Sequence, residues 1–139
     1  MTGYFDTSAF VKLFIAEPGS ATARQAWLET NTVTGGRLLY VEARAGLAAA
    51  HRHRRLGPAA HLAAKTALHE LWRQIFEIGV SAAIGRQAAD LAEQEALRAY
   101  DAVHLASALH SGADVLVCAD AALIAAARRR GLAVVDVRG

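Results

Sequence analysis

The sequence predicts a three-layer α/β sandwich, in which a parallel central sheet lies between layers of helices. Its 139 residues suit a single domain spanning residues 1–139, and 54% of them are hydrophobic, so we expect a folded core rather than a disordered chain. Short apolar segments alternate along the chain with longer segments of helical spacing. These apolar segments are nearly continuous, which is typical of parallel strands buried on both faces.

The first half of the chain begins with a strand and continues mainly as helices. The helical segments are interrupted at Pro18, at Gly35 and Gly36, and at Gly57, while Pro58 suits the first turn of a new helix. In order, the predicted segments are the strand Gly3–Asp6, the helices Ser8–Ile15 and Ala21–Thr30, the strand Thr32–Thr34, and the helices Arg37–Leu56 and Pro58–Ile75.

The second half of the chain alternates more regularly between the two kinds of segment. Ser81 is a suitable helix N-cap, and Gly112 and Gly131 each follow a helical segment, where glycine often ends a helix. In order, the predicted segments are the strand Phe76–Val80, the helices Ala82–Leu97 and Ala99–His110, the strand Val115–Val117, the helix Ala121–Arg130 and the strand Leu132–Val137.

Composition excludes several classes of protein. The single cysteine, Cys118, excludes an internal disulfide framework and fits a reducing compartment. The N-terminal residues lack the basic and apolar regions of a signal peptide, and no apolar run approaches the length that crosses a bilayer. We therefore expect a cytoplasmic protein with no membrane contact.

The basic residues are mostly arginines, and they concentrate in two clusters. The net charge is only +2, which by itself does not indicate a nucleic-acid-binding protein. One cluster contains Arg52, Arg54 and Arg55, and the other is the run 128–130. Each cluster could bind phosphates, or it could complement the dipole at the end of a helix. The sequence leaves both interpretations open, with RNA binding proposed for the first cluster.

Four acids occupy positions that ordinary surface roles do not easily explain. Asp6 and Asp120 each follow a predicted strand, and the carboxyl ends of parallel strands form the ligand crevice of open sheets. Glu42 and Asp101 lie on largely apolar helical faces. Structural explanations exist, because Asp6 and Asp120 could cap helices and Asp101 could pair with Arg98. Glu42 is the hardest to explain, since a buried carboxylate needs a partner.

A cluster of these acids would need a cation. Two carboxylates about 4 Å apart repel each other by roughly 4 kcal/mol at an effective dielectric constant of 20. Ligands that are all oxygen select hard ions such as Mg²⁺ or Mn²⁺. Such ions generate hydroxide from bound water and stabilise displacement at phosphorus. The residues alone therefore point to a metal-dependent phosphodiester or phosphoryl-transfer site.

Four segments in order along the chain resemble the motifs of PIN-domain toxins of the VapC type. The first and third, Tyr4–Leu13 and Tyr100–Leu109, are specific, whereas Tyr40–Leu47 and Val117–Asp120 are weak when taken alone. The resemblance covers the whole chain. It implies a PIN-like fold and a metal-dependent endoribonuclease that is the toxin of a toxin–antitoxin pair. It also implies Mg²⁺ or Mn²⁺ as cofactor, cleavage that leaves 5′-phosphate ends, a homodimer, and a cognate antitoxin whose C-terminal segment blocks the acidic crevice.

The resemblance also implies the roles of individual residues. The catalytic acids are Asp6, Glu42, Asp101 and Asp120, of which Asp6 and Asp101 hold the metal, and Ser8 is a supporting polar group. The family usually carries Thr or Ser where this chain has Cys118. His104, one helical turn after Asp101, is interpreted as a packing residue rather than a metal ligand.

Two alternatives belong to other functional classes. A phosphoacceptor signalling module also has an acidic pocket in a small α/β domain, but it needs a lysine at the end of a late strand. The only lysines here are Lys12 and Lys65. A non-catalytic PIN-like scaffold that binds RNA or protein is the other alternative, and only an activity assay separates it from a nuclease.

Overall fold

The computed structural model describes residues 1–139, and it contains one five-stranded sheet with helices on both faces. The strands are β1 (Thr2–Phe5), β2 (Thr32–Gly36), β3 (Phe76–Ile78), β4 (Val115–Cys118) and β5 (Ala133–Asp136). Every neighbouring pair is parallel, and the strand order is β3-β2-β1-β4-β5. The predicted fold class is confirmed.

Seven helices connect the strands. They are α1 (Thr7–Phe10), α2 (Ser20–Glu29), α3 (Leu38–Arg52), α4 (Pro58–Trp72), α5 (Ala82–Glu95), α6 (Ala99–His110) and α7 (Ala121–Arg129). None of them combines the length and the apolar character that crossing a membrane requires.

The predicted helix Ser8–Ile15 is wrong in its second half. The α-helix ends at Phe10, and a 3₁₀ turn over Val11–Leu13 follows it. The buried Lys12 donates hydrogen bonds to Glu17 (3.1 Å) and to the carbonyl of Pro18 (2.7 Å), so the chain is drawn into a tight loop before α2. A charged side chain with these local partners favours that loop over another helical turn.

The sheet separates two apolar layers because successive residues of a strand face opposite sides. Tyr4 of β1 and Leu116 of β4 pack against α5, α6 and α7. Phe5 and Val117, the next residue of each strand, pack against α2 on the other side. A third cluster around Phe10 joins α1 to α3 and α4.

The strand order places the ends of β1 and β4 side by side. Phe5 is the register partner of Val117, and the N–H group of Asp6 donates to the carbonyl of Val117 at 3.2 Å. From β1 the chain continues to β2 on one side, whereas β4 lies on the other side, so the order of strands reverses here. In parallel sheets the crevice at this reversal is the usual ligand site.

Candidate active site

Asp6 is a buried acid at the end of β1. Only 3% of the residue is exposed, and it caps α1 by accepting a hydrogen bond from the N–H group of Ala9 at 3.1 Å. The hydroxyl of Ser8 lies 2.7 and 2.9 Å from its two carboxylate oxygens, and the thiol of Cys118 donates to Oδ2 at 3.3 Å. Burial raises the pKa of Asp6, although His104 and these donors act in the opposite direction.

Ser8 connects Asp6 to the end of β4. Its Oγ accepts a hydrogen bond from the N–H group of Ala119 at 2.9 Å while it donates to Asp6. Cys118 takes part in the same network, because its thiol lies close to both Ser8 and Asp6. Burial and the charge of Asp6 raise the pKa of Cys118, so the sulfur stays protonated and acts as a weak donor.

Asp120 caps α7 from the end of β4. Its Oδ1 accepts a hydrogen bond from the N–H group of Leu123 at 2.8 Å, and its own N–H group donates to the sulfur of Cys118 at 3.2 Å. The second carboxylate oxygen makes no hydrogen bond within the chain. Asp120 therefore has one oxygen in the helix cap and one available to a ligand.

Glu42 has partners on two other elements of the fold. Its Oε1 accepts hydrogen bonds from Thr7 Oγ1 at 2.9 Å and from His104 Nε2 at 2.7 Å. Burial alone would raise the pKa of Glu42, but the hydrogen bond and charge of His104, together with Thr7, lower it. The acid that the sequence could not explain is thus held by a histidine of α6 and a threonine of α1.

His104 is buried, with 2% of the residue exposed, and it packs edge-on against the ring of Tyr4. The packing role expected from the sequence is therefore incomplete, because both ring nitrogens also have polar partners. Nδ1 lies 2.9 Å from the Tyr4 hydroxyl, and Nε2 lies 2.7 Å from Glu42. Burial would lower the pKa of His104, but the hydrogen bond to Glu42 and the neighbouring acids raise it.

Asp101 lies in the first turn of α6 beside an open cleft. The cleft has a volume of about 220 Å³ and is lined by Glu42, Arg98, Tyr100 and Asp101. Arg98 Nε is 3.6 Å from Asp101 Oδ2, which is the pairing that the sequence allowed. Burial and the neighbouring carboxylate of Asp120 raise the pKa of Asp101, with a further contribution from Glu42.

The four acids lie at one end of the sheet, where their charges act on Asp101 and on His104. Asp120 and Glu42 both raise the pKa of Asp101, and Asp6, Glu42 and Asp101 all raise that of His104. No three of the chain's acidic, histidine or cysteine side chains are arranged as a ready set of metal ligands, however. Instead, carboxylate oxygens of Asp6 and Glu42 form hydrogen bonds with other side chains of the protein, Ser8 and His104 respectively.

The two arginine clusters differ in their surroundings. Arg52, Arg54 and Arg55 are exposed at the turn between α3 and α4, and none of them forms a salt bridge. Arg129 and Arg130 both bind Glu95, at 2.6 and 2.9 Å, so much of the second cluster has an acidic partner. Arg128 of the second cluster is exposed and forms no salt bridge, but the first cluster offers three such arginines.

Comparisons with known proteins identify the family. The PIN domain family model matches residues 3–129. Ribonuclease VapC45 of Mycobacterium tuberculosis is 41% identical over 116 residues, which are 84% of this chain and 81% of that protein. The crystal structure of M. tuberculosis VapC20, a Sarcin-Ricin loop cleaving toxin, shares the fold with a TM-score of 0.69 and 22% identity, covering 89% of this chain and 94% of VapC20. A toxin–antitoxin complex from Klebsiella pneumoniae gives a TM-score of 0.64 at 21% identity, covering 88% and 90%. The chain therefore belongs to the PIN-domain family, among the proteins of the VapC type.

Proposed function

We propose that this chain is a metal-dependent endoribonuclease that hydrolyses RNA phosphodiester bonds, and that it is the toxin of a toxin–antitoxin pair. The observation that carries the proposal is the meeting of Asp6, Glu42, Asp101 and Asp120 at the carboxyl ends of β1 and β4. Similarity to the ribonuclease VapC45 supports RNA as the substrate. Residues 1–139 act as a single nuclease domain in this proposal.

The donor set fits a hard divalent cation. The acids offer only oxygen ligands, which is the preference of Mg²⁺ and Mn²⁺. Burial and two neighbouring carboxylates already raise the pKa of Asp101, and a cation in the cleft would relieve that repulsion. Asp6 and Asp101 would hold the ion, with Glu42 and Asp120 completing the site. When bound, the ion supplies a Lewis acid and lowers the pKa of a bound water.

The side chains around the acids keep them oriented. Ser8 and the N–H group of Ala9 fix the carboxylate of Asp6, and Thr7 fixes one oxygen of Glu42. Arg98 and Tyr100 are 86% and 61% exposed, respectively, at the rim of the cleft. A guanidinium and an aromatic ring at this rim suit the phosphate and the base of a single strand.

Partners and location form part of the same proposal. The toxin–antitoxin complex from K. pneumoniae shares this fold, which supports a cognate antitoxin as the protein partner. A homodimer and residence in the cytoplasm complete the proposal. The phosphoacceptor alternative loses support, because Lys12 is bound to Glu17 and Pro18, and Lys65 lies within α4 rather than at a strand end.

An RNA cleavage assay with matched variants tests the proposed function. We expect Asp6→Asn and Asp101→Asn to abolish cleavage while the protein remains folded, because each removes charge from the acidic site. Asp90→Asn, a change of an exposed acid on α5, is the control and should cleave like the wild type. Activity should vanish in EDTA and return with Mg²⁺ or Mn²⁺.

Three results would count against parts of the proposal. Wild-type cleavage by the Asp101→Asn protein would remove that residue from the site, and cleavage that persists in chelator would exclude a required metal. RNA binding without any cleavage would favour the non-catalytic scaffold. If cleavage is observed, mapping of the cut positions in total RNA after brief expression would identify the target.

A further inference from the structure

A chain of hydrogen bonds runs from the buried Tyr4 to the partly exposed Glu42. The Tyr4 hydroxyl of β1 lies 2.9 Å from Nδ1 of His104 on α6, and Nε2 of that ring lies 2.7 Å from Oε1 of Glu42 on α3. Thr7 of α1 donates to the same Oε1 at 2.9 Å. Four separate elements of the fold therefore determine where this one carboxylate lies.

The imidazole cannot act on RNA directly. Only 2% of His104 is exposed, and its ring is enclosed by Tyr4 on one side and by the backbone of β2 on the other. A Cβ atom placed on Gly36 would lie 2.7 Å from the Tyr4 hydroxyl and 3.9 Å from Nδ1 of His104, so the backbone closes this space. The carboxylate that connects its ring to the cleft is Glu42.

The hydrogen bonds leave one oxygen of Glu42 free. His104 and Thr7 both contact Oε1, and Oε2 makes no hydrogen bond within the chain. Glu42 also lines the cleft beside Asp101. A carboxylate held by one oxygen can present the other oxygen in a fixed direction. Partners that orient metal-binding carboxylates in this way typically change metal affinity or activity by about 10- to 100-fold when they are removed.

We propose that His104 is a positioning residue for the nuclease reaction: Tyr4 fixes its ring, and its Nε2–H group holds Glu42 so that Oε2 faces the cleft and a divalent ion there. The inference rests on the proposed function, since it assigns a role within the same site. His104 is neither a metal ligand nor a group that touches the substrate.

Two substitutions of His104 separate positioning from packing. In His104→Gln the amide nitrogen occupies nearly the place of Nε2 and can still donate to Glu42. In His104→Asn the shorter amide reaches only the place of Nδ1, beside Tyr4. Both variants replace a buried ring with a buried amide, and glutamine is the closer match in volume. A purely structural role therefore predicts a smaller loss of stability for His104→Gln than for His104→Asn, but no change of Mn²⁺ affinity in the folded protein of either variant.

Mn²⁺ binding is the first measurement, by electron paramagnetic resonance of the free ion at constant pH. RNA cleavage kinetics are the second. We expect His104→Asn to lower Mn²⁺ affinity and kcat by about 10- to 100-fold with little change in KM, and His104→Gln to recover most of both. Thr7→Val, which removes the other donor to Oε1 near the surface, should change both quantities in the same direction by less.

Equal Mn²⁺ affinity in the wild type and His104→Asn would overturn the inference, as would equal losses in the Asn and Gln variants. If both fail to fold, Tyr4→Phe, which removes the hydroxyl that fixes the ring, takes their place, and an unchanged Mn²⁺ affinity in that variant would overturn the inference. The proposed function has its own test. A wild type that binds Mn²⁺ but cuts no RNA would contradict the nuclease. A Mn²⁺ affinity that depends on His104 would still support the positioning of Glu42 in that case.

Discussion

Asp6 and Asp120 both cap helices, and this structural role is compatible with the functional role proposed for them. Each follows a strand and accepts a hydrogen bond from an N–H group in the first turn of the next helix. This is the helix-capping role that the sequence analysis gave as their structural explanation. Each also contributes negative charge at the same end of the sheet. The two interpretations are compatible, because a carboxylate has two oxygens and a cap needs only one.

Substitutions of Asp120 can separate its two roles. Asparagine is as good an N-cap as aspartate, so Asp120→Asn should keep the stability of the fold but lose RNA cleavage with the charge. Asp120→Ala should also lose the cap and about 1 kcal/mol of unfolding free energy. Urea unfolding and cleavage rates provide the comparison. An Asn variant that cleaves like the wild type would reduce Asp120 to a structural cap.

Asp101 should destabilise the fold at neutral pH in the absence of metal. Its folded-state pKa is raised, by burial and by Asp120. The charged form is therefore disfavoured in the native state, and stability should fall as pH rises from the unfolded pKa through the folded one. In EDTA at neutral pH, Asp101→Asn should be more stable than the wild type by roughly 1 kcal/mol.

The competing effect at Asp101 is weak. Its salt bridge with Arg98 is long, at 3.6 Å, and Arg98 is highly exposed, so its loss should cost little. Saturating Mg²⁺ should narrow the difference, because the wild type binds the ion better. Thermal melts at neutral and acidic pH, with and without chelator, would measure these effects. A lower melting temperature for Asp101→Asn in EDTA would show that crowded carboxylates do not control this site.

At the scale of helices and strands, the sequence predicted the kinds of element better than their ends. Strand β2 runs two residues beyond the predicted Thr34, and β3 stops two residues before the predicted Val80. The register explains both differences, since Gly36 pairs with Ile78 where the two strands end together. Local composition marks glycines as breaks, but it cannot show that a neighbouring strand will pair with them.

Glycines in two kinds of element should respond oppositely to alanine. Gly85 lies within α5, and an added Cβ would meet no atom within 4 Å. Gly85→Ala should therefore raise the unfolding free energy by about 0.5–1 kcal/mol, because alanine favours the helix. Gly36→Ala in β2 should lower it, since the new methyl group would collide with the Tyr4 hydroxyl. Denaturant titrations of both variants would check the signs of the two changes in unfolding free energy. A destabilised Gly85→Ala would contradict the open space beside Gly85.

At the scale of the molecule, alternation of strands and helices was sufficient to predict a parallel three-layer fold, but not its strand order. The order depends on which strands meet in space, which no local pattern contains. The same limit applies to the site. The acids could be named from motifs, yet the partners of Glu42 come from α1 and α6, which are distant in sequence. The one available signal was a histidine on the apolar face of α6, one turn after Asp101.

Arg52, Arg54 and Arg55 should increase the affinity for RNA rather than the rate of the chemical step. Arg52 lies ten residues after Glu42 on α3, so about 15 Å separates the cluster from the acids along the helix. Glutamine at all three positions should raise KM and leave kcat nearly unchanged. Binding to the uncleaved RNA should also lose about 0.7 units of log–log salt slope for each phosphate contact removed.

The matched control for this cluster is Arg129→Gln with Arg130→Gln, because both arginines already bind Glu95. The two control substitutions should alter the salt dependence of RNA binding less than the three glutamine substitutions at the turn between α3 and α4. Fluorescence anisotropy of a labelled RNA, measured with an Asp101→Asn background over a range of salt, would compare the two sets. If the glutamine substitutions at Arg52, Arg54 and Arg55 leave the salt slope unchanged, these arginines do not bind phosphates and only complement the dipole at the end of α3.

The strand order also determines when the acidic site can form during synthesis. β1 is the central strand and the first to be made, but its neighbour β4 comes late, and the contact between Asp6 and Cys118 joins residues 112 positions apart. At a synthesis rate of about 5–20 residues per second, β1 waits roughly 6–22 s for that neighbour. Asp6 and Asp120 therefore cannot meet on a nascent chain until most of it has left the ribosome. The acidic site is therefore among the last parts of the fold to form on a nascent chain.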